Sequence, residues 1–166
     1  MSDDIKRDIA ALVPRLRRFA YAVSGNRDEG DDLVQTACVK AMSRLDQYQP
    51  GSRLDSWMFR IVQTTHIDAM RRRKTRGEAS DPDVLDRLSD EGRDAGQSEH
   101  RLLLAKVRTA MAELPEEQRA VLALVAIEGY SYKEAAAILE APIGTIMSRL
   151  ARARARLLPL AEGYAS

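Results

Sequence analysis

Residues 131–157, SYKEAAAILEAPIGTIMSRLARARARL, decide the fold. Ser131 followed three residues later by Glu134 is a capping-box pattern and predicts a short helix running through Leu139. Pro142 suits the first turn of a second helix, on which Ile146, Leu150 and Leu157 share one face. Two helices joined by about three residues, the second strewn with arginine, outline a helix-turn-helix. Arg149, Arg152 and Arg156 recur at i, i+3 and i+7 and therefore share a side of the second helix, while Arg154 points elsewhere. Guanidinium groups so placed can bind phosphates or fork onto guanine edges in a major groove. An Arg-rich helix is often no more than a solvated basic face, but the capped helix, the tight turn and Gly144-Thr145 favour the nucleic-acid reading.

Upstream, Leu103, Val107, Met111 and Leu114 form one helical stripe ended by Pro115, and Val121, Leu122 and Val125 form another closed by Gly129. The N-terminal part is also helical, with no period-two stretch. Ile5, Ile9, Leu12, Leu16, Phe19 and Val23 make one stripe, with a break or kink expected at Pro14 and a stop at Gly25. Leu33, Ala37, Met42 and Leu45 mark a second helix, whose start is favoured by Asp28, Glu29, Asp31 and Asp32. Gln49-Pro50-Gly51-Ser52 is a turn, and a third helix follows over about 54–73, with Trp57, Ile61 and Ile67 expected in its core.

The chain has 166 residues, 45% of them hydrophobic, which suits one ordinary domain or two small ones and argues against wholesale disorder. Its net charge of +1, taken alone, argues against a polyanion binder. That figure is a cancellation. Residues 77–100 hold eight acids against two bases, a net −6, and the remainder carries +7. The acidic stretch, punctuated by Gly77, Pro82, Gly92 and Gly96, reads as a linker between two basic modules. No apolar run reaches a membrane span, and the acidic N-terminus is unlike a secretory signal, so a cytoplasmic protein without membrane insertion is expected. Cys38 is the only cysteine and reads as a small, buried residue; with only His66 and His100 beside it, neither disulfide nor zinc chemistry is indicated. There is no glycine-rich phosphate loop, nucleophile elbow or His/Glu metal motif, and His66 beside Asp68 is too weak a pairing for a base. No enzyme, cofactor or small-molecule substrate is therefore expected.

Arg71, Arg72, Arg73, Lys74 and Arg76 repel one another unless water or a polyanion compensates them. On the same helix Trp57, Phe59, Arg60, Gln63, Thr64 and His66 mix rings with polar groups, a combination suited to unstacked bases. Trp57 itself reads as core packing before base contact.

Residues 31–76, DDLVQTACVKAMSRLDQYQPGSRLDSWMFRIVQTTHIDAMRRRKTR, and 114–158, LPEEQRAVLALVAIEGYSYKEAAAILEAPIGTIMSRLARARARLL, closely resemble regions 2 and 4 of bacterial sigma factors of the extracytoplasmic-function group. The resemblance covers nearly the whole chain and implies two all-α domains: region 2 over 1–76, an acidic flexible linker over 77–100, and region 4 over 101–166. It implies an alternative sigma subunit that binds core RNA polymerase and promoter DNA and is held by an anti-sigma factor. Asp31, Asp32, Leu33 and Gln35 would dock on the polymerase clamp helices. The loop with Tyr48, Ser52 and Leu54 would capture an extruded minus-10 base, and Trp57, Arg60, Gln63, Thr64, Arg71, Arg72 and Arg73 would face the unwound strand. Thr145, Met147, Ser148, Arg149, Arg152 and Arg156 would read the minus-35 duplex. The acidic linker would lie in and near the RNA exit path. Two positions depart from the family pattern: Glu140-Ala141 replaces the usual turn glycine, and Met147 replaces a usual Lys or Arg. Two rival readings are a stand-alone helix-turn-helix regulator of duplex operators and a sigma mimic that sequesters a sigma factor's inhibitor.

Overall fold

The computed structural model describes residues 2–77 and 98–165, and every regular element among them is helical. Helix α1 spans Ser2–Ser24, α2 Arg27–Ser43 and α3 Leu54–Arg76, with a 3₁₀ turn at Leu45–Gln47. These three pack on one another through the α1 stripe, of which Ile9, Leu16, Phe19 and Val23 are fully buried. The expected interruption at Pro14 does not end the helix, which continues on both sides of the proline. Burial of the stripe before and after it offsets the one backbone bond that proline cannot donate. Gly25, at φ +69°, closes α1, and Asn26 starts α2 by accepting backbone N–H bonds from Asp28 and Glu29 at 2.9 and 3.3 Å. Gly30 of α2 lies tight against α1, where a Cβ would run into the Tyr21 ring.

The core of α2 and α3 differs from the apolar pattern in detail. Ala41, not Met42, is the buried residue at the end of α2, and Met42 is exposed. On α3 the buried set is Met58, Phe59, Ile61, Val62, Thr65 and His66, while Trp57 and Ile67 are only half-buried. Phe59 stands edge-on to Phe19 at 5.4 Å and is fully enclosed, and His66 is also buried, so neither is available to stack on a base. Cys38 is half-buried, and burial raises its thiol pKa.

The C-terminal part comprises α4 Ser98–Glu113, α5 Glu116–Leu122, a π-helical turn Ala123–Ile127, α6 Tyr132–Leu139 and α7 Ile143–Ala165. Pro115 separates α4 from α5 as expected, but the next helix widens into the π turn before Gly129. The capping box at the start of α6 is complete: Glu134 N–H donates to Ser131 Oγ and Ser131 N–H donates to Glu134 Oε1, both at 3.0 Å. Pro142 stands just before α7, where its carbonyl accepts from Thr145 and Ile146. Ile146, Leu150 and Ala153 bury the inner face of α7.

The two helical groups are packed together, α1 against α5 and α3 against α6, so that one apolar cluster runs through both. Of the acidic stretch, residues 78–97 lie outside the described residues. Among the described residues no helix is long and apolar enough to cross a membrane.

Candidate nucleic-acid interface and the seam that covers it

On α2, the residues with outward positions are Asp32, Gln35, Thr36 and Val39, at helical spacing along one face. Val39 is 69% exposed and Met42 continues the same edge, an apolar feature that the sequence pattern had not assigned. Its signal was available: Val39 falls outside the stripe formed by Leu33, Ala37 and Ala41. Asp31 is turned back into the fold, accepting the Tyr21 hydroxyl at 2.6 Å. Leu33 is buried at 6% exposure and packs in the three-helix core, so it cannot present its side chain to a partner as expected.

The loop before α3 is built by its own residues. Tyr48 donates its hydroxyl to the Ser52 carbonyl at 2.6 Å and stacks at a tilt on Trp57, 5.2 Å between ring centres. Ser52 closes the turn by donating Oγ–H to the Gln49 carbonyl at 2.6 Å, with Gly51 at φ +93° supplying a conformation that side chains oppose. Leu54 packs against the core. Farther along, Arg60, Arg71 and Arg72 are exposed, Gln63 and Thr64 are half-buried, and Arg73 pairs with Glu29.

On α7, Met147, Ser148 and Arg152 are exposed, and Met147 presents an apolar side chain. Thr145 is half-buried and its carbonyl accepts Ser148 Oγ–H at 3.1 Å. Arg156 bends toward the carbonyl of Glu113 at the end of α4, at 3.5 Å. Arg149 lines a cavity of about 910 Å³ whose other walls include Gln63, Arg71 and Arg73. Residues expected to face the minus-10 and minus-35 elements thus meet across one cavity. Gln63 Oε1 and Asn26 Nδ2 are buried at its walls without a hydrogen-bond partner.

A chain of polar contacts borders this cavity. Arg119 sends its guanidinium into four carbonyls: Ala22 at 2.6 Å and Val23 at 3.2 Å at the end of α1, and Leu114 at 2.8 Å and Ala112 at 3.3 Å at the end of α4. Orphan carbonyls of two helix ends are satisfied by one cation, whose pKa burial lowers. His66 Nε2 is bonded to Glu116 Oε1. Burial first, then the nearby Arg119 and Arg73 charges, drop the imidazole pKa to about 4, so the neutral ring donates Nε2–H to the carboxylate. Burial raises the pKa of Glu116 in turn.

At the other end, Glu128, 3% exposed, accepts from Arg15 at 2.9 Å and from Arg18 at 3.1 Å. The Tyr130 ring lies edge-on to Phe59 at 5.6 Å, beneath the guanidinium of Arg53 at 5.0 Å. Its hydroxyl donates to Asp55 at 2.7 Å and accepts from Arg15 at 3.1 Å. Burial, helped by the bond to Asp55, pushes the Tyr130 hydroxyl up to about 12. Burial alone would raise Asp55, but Arg53, Tyr130 and the Ser56 N–H hold its pKa below the usual carboxylate value. Arg53 also reaches Glu134, and Arg60 donates Nε–H to Glu140 at 2.8 Å. Sequence reasoning missed Arg119, Glu128 and Tyr130, because each acts on a partner far along the chain, and it missed Asn26 although an N-cap residue before the acidic first turn of α2 was a local signal.

The comparisons agree over both halves. Residues 9–76 match the family profile described as Sigma-70 region 2, and residues 104–157 match Sigma-70, region 4. The chain is 40% identical over 160 residues to the ECF RNA polymerase sigma factor EcfG of Rhodopseudomonas palustris, covering 96% of this chain and 86% of that one. It is 31% identical to the ECF RNA polymerase sigma-E factor of Escherichia coli K12, over 88% of this chain and 76% of the other. Among solved structures, the sigma factor RpoE of Bartonella quintana, in complex with the anti-sigma factor NepR, superposes with a TM-score of 0.76 at 31% identity, covering 96% of this chain and 97% of that one. CnrH, in complex with the cytosolic domain of CnrY, superposes with a TM-score of 0.67 at 26% identity, over 98% and 90% of the two chains. With both of its helical modules matched and relatives aligned along almost its whole length, the chain belongs to the sigma-70 family of non-enzymatic transcription initiation factors, in the extracytoplasmic-function group.

Proposed function

We propose that the chain binds core RNA polymerase and directs promoter-specific initiation, reading a minus-35 element through residues 101–166 and a minus-10 element through residues 1–76, with residues 77–100 as the tether. The observation that carries this reading is the presence of three exposed sets of side chains: Asp32, Gln35 and Val39 on α2, the cationic residues of α3, and the outward residues of α7. The first suits a protein partner, since it combines exposed apolar and polar groups. The second combines Arg60, Gln63, Thr64, Arg71 and Arg72 beside the Tyr48–Trp57 ring pair, which suits unstacked bases and their phosphates. The third suits a duplex groove, with Ser148 and Arg152 outward. Melting then follows from differential binding, since capture of flipped bases stabilises the open strand against an unstacking cost of a few kcal/mol.

A stand-alone regulator of duplex operators leaves the α2 face and the region 2 match without a role. A mimic of a sigma surface leaves two cationic nucleic-acid faces without one. The complex of the similar sigma factor RpoE with the anti-sigma factor NepR supports control by an anti-sigma partner, and a cytoplasmic site of action follows from this reading. The test is transcription in vitro with sigma-free core polymerase and a promoter library. Specific initiation is expected; absence of both specific initiation and core binding overturns the proposal.

A further inference from the structure

Between residues 114 and 158 the second module has five acids, Glu116, Glu117, Glu128, Glu134 and Glu140, and four of them bond to bases of the first module: His66, Arg15 with Arg18, Arg53 and Arg60. Three of these pairs fall on α3 or the residue that precedes it, and one of them engages Arg60, which is expected to face single-stranded DNA. Glu134 spends one carboxylate oxygen on its capping box and the other on Arg53. Glu140 is more telling. It is the only non-glycine residue with positive φ among those described, at +53°, in the turn of the helix-turn-helix. Glycine would occupy this conformation without strain, whereas a residue with a Cβ is penalised there. From that turn Glu140 Oε1 accepts from both Nε and Nη2 of Arg60, two guanidinium donors that a phosphate oxygen would also engage.

We propose that Glu140, assisted by Glu134, is an internal stand-in for a nucleic-acid phosphate: it covers Arg60 and Arg53 with the second module and keeps the free chain closed against single-stranded DNA. This inference rests on the minus-10 assignment of Arg60. The cavity behind the contact shows why closure also occupies the other module, because Arg149 of α7 is turned into the same space as Gln63 and Arg71. Arg149, Gln63 and Arg71 are released together only when the modules separate. The contacts are half-exposed, so each is a weak latch that polymerase binding can overcome.

The experiment uses the full chain without polymerase. Spin labels on Ser43→Cys and Ala155→Cys, in a Cys38→Ser background, report the distance between modules, and a fluorescent mixed-sequence DNA dodecamer reports single-strand affinity. Glu140→Gln keeps the shape and removes the charge; Glu134→Gln does the same while retaining a capping-box residue. The expected result is a longer inter-module distance and single-strand binding tighter by about three-fold for Glu140→Gln and about ten-fold for the double variant, as fits two exposed ion pairs. An unchanged distance overturns the latch. A longer distance with unchanged affinity overturns the covering of α3. Failure of the minus-10 assignment itself is read separately, as unimpaired promoter opening by polymerase reconstituted with Arg60→Ala.

Discussion

Arg119→Ala tests what holds the two helical groups together. The guanidinium ties the last carbonyls of α1, Ala22 and Val23, to those of α4, Leu114 and Ala112, from a single position on α5. Hydrogen bonds to a charged group contribute roughly 1.5–3 kcal/mol each, so the two that cross between modules would give about 3–6 kcal/mol if nothing opposed them. Burial of the cation opposes them, as its lowered pKa shows. The α1 carbonyls also recover water when the modules part. Setting these against the gain leaves about 2 kcal/mol for closure, or a roughly thirty-fold shift toward the open form on truncation. The assay is the spin-label distance between modules, with far-ultraviolet circular dichroism to verify that α4 and α5 remain helical. Arg119→Lys, which keeps the charge but cannot fork onto two helix ends, should open the chain to an intermediate degree. If Arg119→Ala keeps an open-to-closed ratio within about two-fold of the parent while its helicity is retained, carbonyl capping by Arg119 does not hold the modules together, and the estimate drawn from net hydrogen-bond strengths is refuted.

Other perturbations address separate parts of the structure. His66 has a folded pKa of about 4, below its ordinary 6.5, so the stability it contributes is present above pH 6.5 and is lost as pH falls toward 4. The loss should reach at most about 3 kcal/mol, with the raised pKa of Glu116 partly offsetting it at the acid end, and thermal melts of His66→Gln across this window should show a flatter slope than the parent. Asp32→Ala with Gln35→Ala should weaken core-polymerase association by about ten-fold at an unchanged melting temperature, since neither side chain is buried; unaltered affinity removes that assignment. Met147→Lys should change base preference at one minus-35 position in a randomised duplex library, because it exchanges an exposed apolar side chain for a cation; identical selections by both proteins refute this. Gly30→Ala should destabilise the first module by about 1–3 kcal/mol in denaturant titrations, as the added methyl meets the Tyr21 ring.

The local features were legible because their causes lie within a few residues of one another. Ser131 and Glu134 cap each other across one turn, Gly25 and Gly129 stop helices through their own backbone freedom, and the apolar stripes mark which side of each helix is buried. The left-handed Glu140 stands where the resemblance had marked a departure from the family's usual turn glycine. Errors arose where burial was decided by packing and not by period. Of the break or kink expected at Pro14, the break did not occur, because the stripe on either side of it is enclosed. Phe59 and His66, expected among base-contacting groups, are interior, and Trp57 is less buried than they are, since the axial rotation of α3 between α1 and Tyr130 was not encoded in its own mixed pattern.

By itself, then, the sequence determined the all-helical fold, the helix-turn-helix, the segregation of acid from base and the residues eligible to touch nucleic acid. Tertiary structure decided which of those residues are reachable. Glu116, Glu128, Glu134 and Glu140 meet partners 50 to 113 residues away, and Arg119 caps a helix 97 residues earlier. Helical periodicity specifies the face a helix buries but not the body it docks against. Several dockings of two amphipathic bundles would satisfy the same apolar stripes. The choice among them depends on complementarity of shape and charge between surfaces that exist only after each bundle has formed.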